Sequence, residues 1–292
     1  MGIMLKILCD VCGDLTIEYC RENNITIMPM VFTLGGQEQA YTLEGFSAKN
    51  FYDAMRNGAS SGTSQLNIQN FIEFFDPILA EGNDMIFVCL SSGLSGSYAN
   101  SVAAVEQLKE KYPERKIATI DSLGASMGEG LLTAALAHRR DEGMEFDEIV
   151  AWAEKNKHHV IHWFTVDDLK YLYRGGRVSR TSAIVGSLLN IKPVLQCNAE
   201  GKLVPVEKVK GRKRALRALA ESLDQYGENI DGQEIFISHG DCEEDALLVK
   251  DTLVKTFGCA PEKIFLSAVG PVIGSHSGPG TVALFFRGKN RG

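Results

Sequence analysis

The sequence contains no apolar stretch long enough to cross a bilayer. Its longest apolar runs, such as residues 85–90 and 130–137, are far shorter than the ~20 residues that a transmembrane helix needs. The first ten residues lack a charged n-region, a long apolar core and a small-residue cleavage site, so they do not read as a signal peptide. These absences predict a cytoplasmic protein without an integral membrane segment.

An excess of positive charge is also missing. The chain has 37 acidic residues against 30 lysines and arginines, which gives a formal net charge of -7. This balance disfavours a general attraction to nucleic acids or anionic membranes. Any basic surface must therefore be local.

The cysteines do not form the pattern of a disulfide framework. There are seven of them, an odd number, and several lie in apolar runs. Only Cys9 and Cys12 have the spacing of a metal or redox motif, and neither a second such pair nor a nearby histidine pair accompanies them. We therefore expect reduced, mostly buried thiols, no metal and no cofactor.

Length and composition are typical of a globular protein, with 292 residues of which 45 % are hydrophobic and 23 % charged. Short apolar runs alternate with helical patterns, which indicates α/β layers with a largely parallel sheet. Strands are predicted at residues 5–9, 26–31, 85–90, 116–120, 160–164, 192–197, 202–209, 234–239, 263–268 and 281–286. Helices are predicted at residues 48–56, 68–80, 98–111, 126–142, 146–155, 181–189, 213–225 and 243–257.

The pattern changes near residue 160. Beyond it, the runs at 192–197 and 203–208 are joined by a turn at 198–201 and read as a hairpin. The sequence therefore predicts a two-domain α/β protein. Residues 1–160 would carry a mostly parallel sheet with flanking helices, and residues 161–292 would form a mixed-sheet α/β domain.

The most informative polar segment follows the buried run at 85–90. Four serines occur in the seven residues 91–97, just before a predicted helix. Hydroxyls, free backbone N–H groups and the positive end of the helix dipole together favour an anion site, whereas a helix cap needs only one hydroxyl. Neither G-x-x-x-x-G-K-[ST] nor G-x-G-x-x-G occurs at this turn, so nucleotide binding is not predicted.

The same loop leaves a nucleophile open as an alternative. Residues 93–97 read G-L-S-G-S, which lacks only the final glycine of the G-x-S-x-G elbow, and Asp241 and His276 follow in the chain order of α/β hydrolases. A triad depends on contacts in space. A serine hydrolase or acyltransferase with Ser95 as the nucleophile therefore stays the second hypothesis.

Two further segments are rich in small residues. The segment 59–65 reads as a linker when it is taken alone. The segment 270–280 holds four glycines and two prolines around His276, which predicts a rigid loop that presents a functional imidazole.

A cluster of cations breaks the acidic background. Six lysines and arginines, and no acid, occur between Lys208 and Arg217. Such a field favours docking of an acidic partner or a phosphorylated molecule. A nucleic-acid-binding regulator is the third hypothesis, disfavoured because no aromatic residues are interleaved with the cations.

Taken in order, these segments resemble the DegV family of fatty-acid-binding proteins, which includes the binding subunits of bacterial fatty acid kinase. The resemblance extends over nearly the whole chain. The residues that carry it are Asp10, Asp14-Leu15, Gly62-Thr63-Ser64-Gln65, Ser91-Ser92-Gly93-Leu94-Ser95-Gly96, Asp121-Ser122, Ala125-Ser126-Met127-Gly128, Gly175-Gly176-Arg177, Ile191-Lys192-Pro193, Gly211-Arg212-Lys213 and His276-Ser277-Gly278-Pro279-Gly280.

The resemblance implies a non-catalytic carrier that encloses a long-chain acyl group between its domains. Thr63 and Ser95 would donate hydroxyls to the carboxylate, and His276 would lie at the mouth of the head-group site. Ser92 and Gly96 would belong to the same ligand-binding loop. No catalytic residue is implied.

The resemblance also implies a partner, a separate kinase subunit that phosphorylates the presented acid with ATP. Arg177, together with Arg212 or Lys213, would form the basic docking surface. The chain departs from the family pattern at 11–12, where Val and Cys replace the usual Ser and Thr, and at Leu66, where Pro is usual.

Binding of this kind needs an apolar tunnel for the tail. At about 0.8 kcal/mol per buried methylene, a tail of roughly fifteen carbons gains about 12 kcal/mol on leaving water. Burial of the carboxylate costs several kcal/mol, so the head group needs two or three hydrogen-bond donors. The candidate tunnel residues are Ile27, Phe164, Ile184, Leu188 and Leu189.

Overall fold

Two large sheets of different construction organise the residues that the computed structural model describes, 4–179 and 190–291. The first sheet is fully parallel and has four strands in the order β2-β1-β6-β7. Its strands are β1 (Leu5–Asp10), β2 (Ile25–Met28), β6 (Asp84–Cys89) and β7 (Ile117–Asp121).

The second large sheet is mixed and has six strands in the order β10-β9-β8-β13-β11-β12. Its strands are β8 (Val160–Thr165), β9 (Ile191–Cys197), β10 (Leu203–Lys210), β11 (Ile235–His239), β12 (Ile264–Ala268) and β13 (Val282–Arg287). Only β11 and β12 pair in parallel, and the predicted hairpin is present as the antiparallel pair β9 and β10.

A third, small antiparallel sheet has the order β4-β3-β5. It consists of β3 (Met30–Leu34), β4 (Gln37–Tyr41) and β5 (Ser61–Thr63). The helices are α1 (Ile17–Glu22), α2 (Ala48–Arg56), α3 (Ile68–Ala80), α4 (Ser97–Lys111), α5 (Met127–Asp141), α6 (Phe146–Asn156), α7 (Lys170–Arg174), α8 (Arg212–Tyr226), α9 (Glu243–Phe257) and α10 (Pro271–Ser277). Together these elements confirm the predicted α/β class, a parallel sheet with helices and a separate mixed sheet.

The helix α5 lies between the two large sheets and contacts both of them. Its apolar residues are buried nearly all round, as expected of a helix that is hydrophobic on every side. Alternate residues of each strand point to opposite faces, so each sheet has one face toward this shared core. The outer faces pack on α3 and α4 for the parallel sheet, and on α8 and α9 for the mixed sheet.

The strands of the parallel sheet end at Asp121, and those of the mixed sheet begin at Val160. Because α5 packs against both sheets, the two halves share one continuous core. The domain boundary at residue 160 stays a prediction.

Three local predictions were wrong. Residues 26–31 form two strands in different sheets, separated at Pro29, which has no N–H for a sheet ladder. The presumed linker at 59–65 contains β5, and the presumed loop around His276 contains α10. The helix predicted at 181–189 lies outside the described residues.

Within the described part of the chain, no helix is long and apolar enough to cross a membrane. All seven cysteines are free, and six of them are buried. Burial raises the pKa of Cys9 and Cys12 well above the usual value of a thiol, so this pair is held as inert thiols in the core.

Close packing of α5 on the turn after β1 generates the first prediction. A Cβ at Gly130 would lie 2.5 Å from the backbone oxygen of Gly13, and backbone gives way less easily than a side chain. We expect Gly130→Ala to lower the free energy of unfolding by about 1 to 3 kcal/mol, despite the better helix propensity of alanine. Urea unfolding measures this difference.

The matched control is Gly232→Ala, because a Cβ at Gly232 meets nothing within 4 Å. That variant should be neutral or slightly stabilising. Equal stability of Gly130→Ala and the wild type would contradict the packing argument.

Candidate functional site

A cavity of about 230 Å³ is lined by residues of both halves of the chain. Four of the predicted site residues, Thr63, Ser95, Arg177 and His276, lie on its wall. The rest of the lining is mostly apolar. It includes Met30, Leu90, Leu94, Phe164, Leu172, Val272, Ile273 and Phe285.

The cavity extends along β13. Thr281, Ala283 and Phe285 all line it, as expected for alternate residues that point to one face of a strand. Four residues of strand at about 3.3 Å each correspond to ~13 Å. At the Thr281 end, the threonine hydroxyl donates to the carbonyl oxygens of Ser277 and Gly278, which fixes this end beside the C-terminus of α10.

The Thr63 hydroxyl and the His276 imidazole meet at that end of the cavity. Thr63 Oγ1 lies 2.7 Å from Nε2 of His276, and the tautomer of the ring decides which of the two donates. Thr63 is held by the pairing of β5 with Phe32 of β3. Burial, with a smaller contribution from Arg177, lowers the pKa of His276 to about 4, so the ring is neutral at neutral pH.

The glycine at 175 makes room for this imidazole. A Cβ there would lie 2.3 Å from Nδ1 of His276, although the backbone of Gly175 is in an ordinary helical conformation. The resemblance motif Gly175-Gly176-Arg177 thus serves the site directly, since its first residue accommodates the histidine and its last residue lines the cavity.

Arg177 faces the cavity and is half-buried there. Its Nη2 donates to the carbonyl oxygen of Leu94 at 3.0 Å, and its Nη1 contacts the carbonyl oxygen of Gly175. The guanidinium places a positive charge beside the loop that carries Ser95.

Ser95 lies at the start of α4. Its Oγ is 3.0 Å from Oγ of Ser97 and accepts the Ser97 N–H at 3.2 Å. This arrangement brings a hydroxyl and the positive end of the helix dipole to the cavity wall, as the serine-rich segment predicts.

The other two predicted residues of this loop do not line the cavity. Ser92 is exposed, and its N–H donates to Oδ1 of Asp121 at 3.1 Å. Gly96 leaves space for the side chain of Gln65, since a Cβ at 96 would lie 2.7 Å from Oε1 of that residue. Gln65 itself lines the cavity.

The hydrolase hypothesis required Ser95, His276 and Asp241 to contact one another. In the structure each has a different partner. Ser95 bonds to Ser97, His276 bonds to Thr63, and Asp241 forms an ion pair with Arg56. No serine triad is assembled from these three residues.

The predicted docking cations do not form one exposed patch. Arg177 lines the cavity, and Arg212 forms ion pairs with Asp245 at 2.8 Å and with Asp167 at 3.6 Å. Lys213 alone of the three is exposed.

Sequence reasoning missed a second set of polar residues on the cavity wall, Ser126, His162 and Ser238. Ser126 belongs to a motif that carries the resemblance, but the resemblance implies no role for it. His162 could have been found from strand alternation, because it lies two residues before the predicted tunnel residue Phe164 on the same face of β8.

Of the predicted tunnel residues, Phe164 lines the cavity. Ile27 does not line it and packs in the core instead. Ile184, Leu188 and Leu189 lie outside the described residues.

A buried carboxyl holds the two serines of this second set in place. The Ser126 hydroxyl donates to Oδ2 of Asp14 at 2.6 Å and lies 2.8 Å from Oγ of Ser238. The other oxygen of Asp14 accepts the N–H of Gly270 at 2.8 Å. Burial raises the pKa of Asp14 from 3.8 to about 7, although both hydrogen bonds lower it.

Comparison with known proteins places the chain in a family. The sequence profile of the DegV family, described as an uncharacterised protein family, matches residues 4–289. A DegV domain-containing protein of Clostridium perfringens is 38 % identical over 98 % of both chains. The chain therefore belongs to the DegV family.

Solved structures agree with this assignment. A fatty-acid-binding DegV protein of Streptococcus agalactiae is 27 % identical with a TM-score of 0.83, over 99 % of this chain and 100 % of that one. The fatty acid kinase B3 protein of Streptococcus pneumoniae, solved with linoleic acid, shares the fold at 21 % identity and a TM-score of 0.84, over 98 % of this chain and 100 % of that one.

The buried Asp14 carboxyl generates a prediction for stability against pH. Its pKa is higher in the folded protein than the unfolded value of 3.8, so the proton stabilises the fold at low pH. That stability is lost as the pH rises through about 7. Asparagine reproduces the protonated carboxyl, because its amide accepts from Gly270 and donates to Ser126.

We therefore expect the wild type to lose on the order of 1 to 3 kcal/mol more than Asp14→Asn between pH 5 and pH 8. Chemical unfolding at several pH values measures this, with the exposed Asp224→Asn as the control for loss of a charge. Parallel profiles for the wild type and Asp14→Asn would contradict the assignment.

Proposed function

We propose that this protein binds a long-chain fatty acid, encloses its chain in the cavity between the sheets and presents the carboxylate at the Thr63 and His276 end. One observation carries the proposal. Thr63, Ser95, Arg177 and His276, which come from separate segments, all line one apolar cavity. The fatty-acid-binding relative of Streptococcus agalactiae supports the same ligand class.

The chemistry of the wall suits a fatty acid at both ends. The apolar lining removes methylenes from water, and each contributes about 0.8 kcal/mol. The carboxylate is stabilised by hydroxyls of Thr63 and Ser95 and by the charge of Arg177, and hydrogen bonds to a charged group contribute about 1.5 to 3 kcal/mol each. A neutral His276 adds no charge to the site. It hydrogen-bonds to the Thr63 hydroxyl, which in turn binds the carboxylate.

We further propose that the protein is a carrier subunit that presents the acid to a kinase. The name of the Streptococcus pneumoniae neighbour, a fatty acid kinase protein, suggests this partner class. Exposed cations support an acidic-surfaced partner, and they are Lys208, Lys210, Lys213 and Arg214. Arg217 is exposed as well but pairs with Glu221 at 2.7 Å. Since Arg212 is already paired with acids, Lys213 and its exposed neighbours are the better docking candidates.

Extraction of the purified protein followed by mass spectrometry tests the ligand class. After expression in bacteria, we expect a long-chain fatty acid to be released in an amount comparable to that of the protein. Repeated absence of a lipid, together with no binding of added fatty acid, would contradict the proposed function.

A double variant tests the head-group assignment. We expect Thr63→Ala with Ser95→Ala to weaken fatty-acid binding by ~100-fold or more, since two hydrogen bonds to a charged group are lost. Thr42→Ala, which removes an exposed hydroxyl outside this cavity, is the control and should bind normally. Titration with a fluorescent fatty acid measures all three proteins, and unchanged affinity in the double variant would refute the assignment.

A further inference from the structure

The cavity has a second polar region, away from the head-group residues. Ser126, His162 and Ser238 line it with exposed fractions of 5 %, 4 % and 0 %. Ser126 and Ser238 are accounted for by their contact with each other and by the hydrogen bond from Ser126 to Asp14, whereas His162 has no such role. The presence of this imidazole therefore needs its own explanation.

The imidazole of His162 is the least satisfied of the three. Its Nε2 has no hydrogen-bond partner among residues 4–179 and 190–291. A buried polar group without a partner destabilises the protein by about 1 to 3 kcal/mol. Burial lowers the pKa of His162 well below its usual value, so the ring is neutral and offers one donor and one acceptor.

Neighbouring residues fix the orientation of this ring. A Cβ at Gly124 or Gly128 would lie 2.4 Å or 2.3 Å from Cε1 of His162, so both positions must be glycine. On another side the ring meets Phe285 edge-on, at 5.4 Å between centroids. The imidazole is thus packed in one position on the cavity wall, as a recognition group requires.

The hydroxyl of Ser238 lies at another depth of the same wall and on the far side of β13 from His162. When the Asp14 carboxyl is ionised, Ser126 donates to it and Ser238 can donate to Ser126, so both hydroxyls already have partners within the protein. Ser238 of β11 pairs with Ala283 of β13, whereas His162 of β8 pairs with Phe285, two residues further along β13.

Strand geometry gives the separation of the two polar regions. His162 pairs with Phe285, whereas the head-group residues lie at the Thr281 end of the same strand. The distance between Thr281 and Phe285 is ~13 Å. An extended chain advances about 1.2 Å per bond, so roughly ten carbons lie between a carboxylate at one end and a group that reaches His162.

On this basis, and resting on the proposed function, we propose that the preferred ligand is a long-chain acid with a hydroxyl or oxo group roughly ten carbons from its carboxylate. His162 binds that oxygen. A plain alkyl chain leaves the imidazole unpaired, and a site that hydrogen-bonds its ligand discriminates against the analogue without that group.

The test compares octadecanoic, 10-hydroxyoctadecanoic and 2-hydroxyoctadecanoic acids in competition with a fluorescent fatty acid on the delipidated protein. We expect the 10-hydroxy acid to bind 10-fold or more tighter than octadecanoic acid. The 2-hydroxy acid, which carries the same group at the wrong end, should show no such gain. Equal affinity of the 10-hydroxy and plain acids, as a water held by His162 would produce, overturns the inference.

Variants locate the preference. His162→Leu should abolish the preference for the 10-hydroxy acid and still bind octadecanoic acid. His162→Gln, which keeps a donor and an acceptor, should restore part of that preference. Phe164→Leu, on the same strand and face, is the matched control and should change both affinities alike. A preference that survives in His162→Leu overturns the inference, whereas failure of every acid to bind the wild type overturns the proposed function itself.

Discussion

The carboxyl of Asp14 is the junction on which the site depends. It lies just after β1. One of its oxygens accepts a hydrogen bond from Ser126, the residue before α5, and the other accepts from the N–H of Gly270, the residue before α10. Ser126 in turn contacts Ser238 of β11. Elements of both large sheets thus meet at one buried carboxyl. The bond to Gly270 also fixes the start of α10, the helix from which His276 reaches Thr63.

The second constraint is the shared helix α5. It packs between the parallel and the mixed sheet, and its glycines permit approaches that a Cβ would block, to Gly13 on one side and to His162 on the other. The cavity begins where this helix begins, because Ala125 and Ser126 line it. A single helix therefore sets the spacing of the two large sheets and also forms the inner wall of the cavity.

Much of the fold could be predicted from the sequence, and the exceptions have physical causes. The α/β class and the hairpin at β9 and β10 follow from apolar periodicity and turn residues. The strand β5 and the helix α10 could not be predicted, because Ser-Gly-Thr becomes a strand only by pairing with β3, and α10 contains a glycine that local propensity disfavours. In the site, the resemblance pointed to Thr63, Ser95 and His276, whereas the inward direction of Arg177 depends on tertiary contacts with Leu94.

The position of β13 has a consequence for how the cavity is completed. Last of the described strands in chain order, it lies inside the mixed sheet between β8 and β11. The place between β8 and β11 is filled only by residues 282–287, which also supply the cavity wall formed by Ala283 and Phe285. A chain that stops before residue 282 consequently lacks one wall of this cavity.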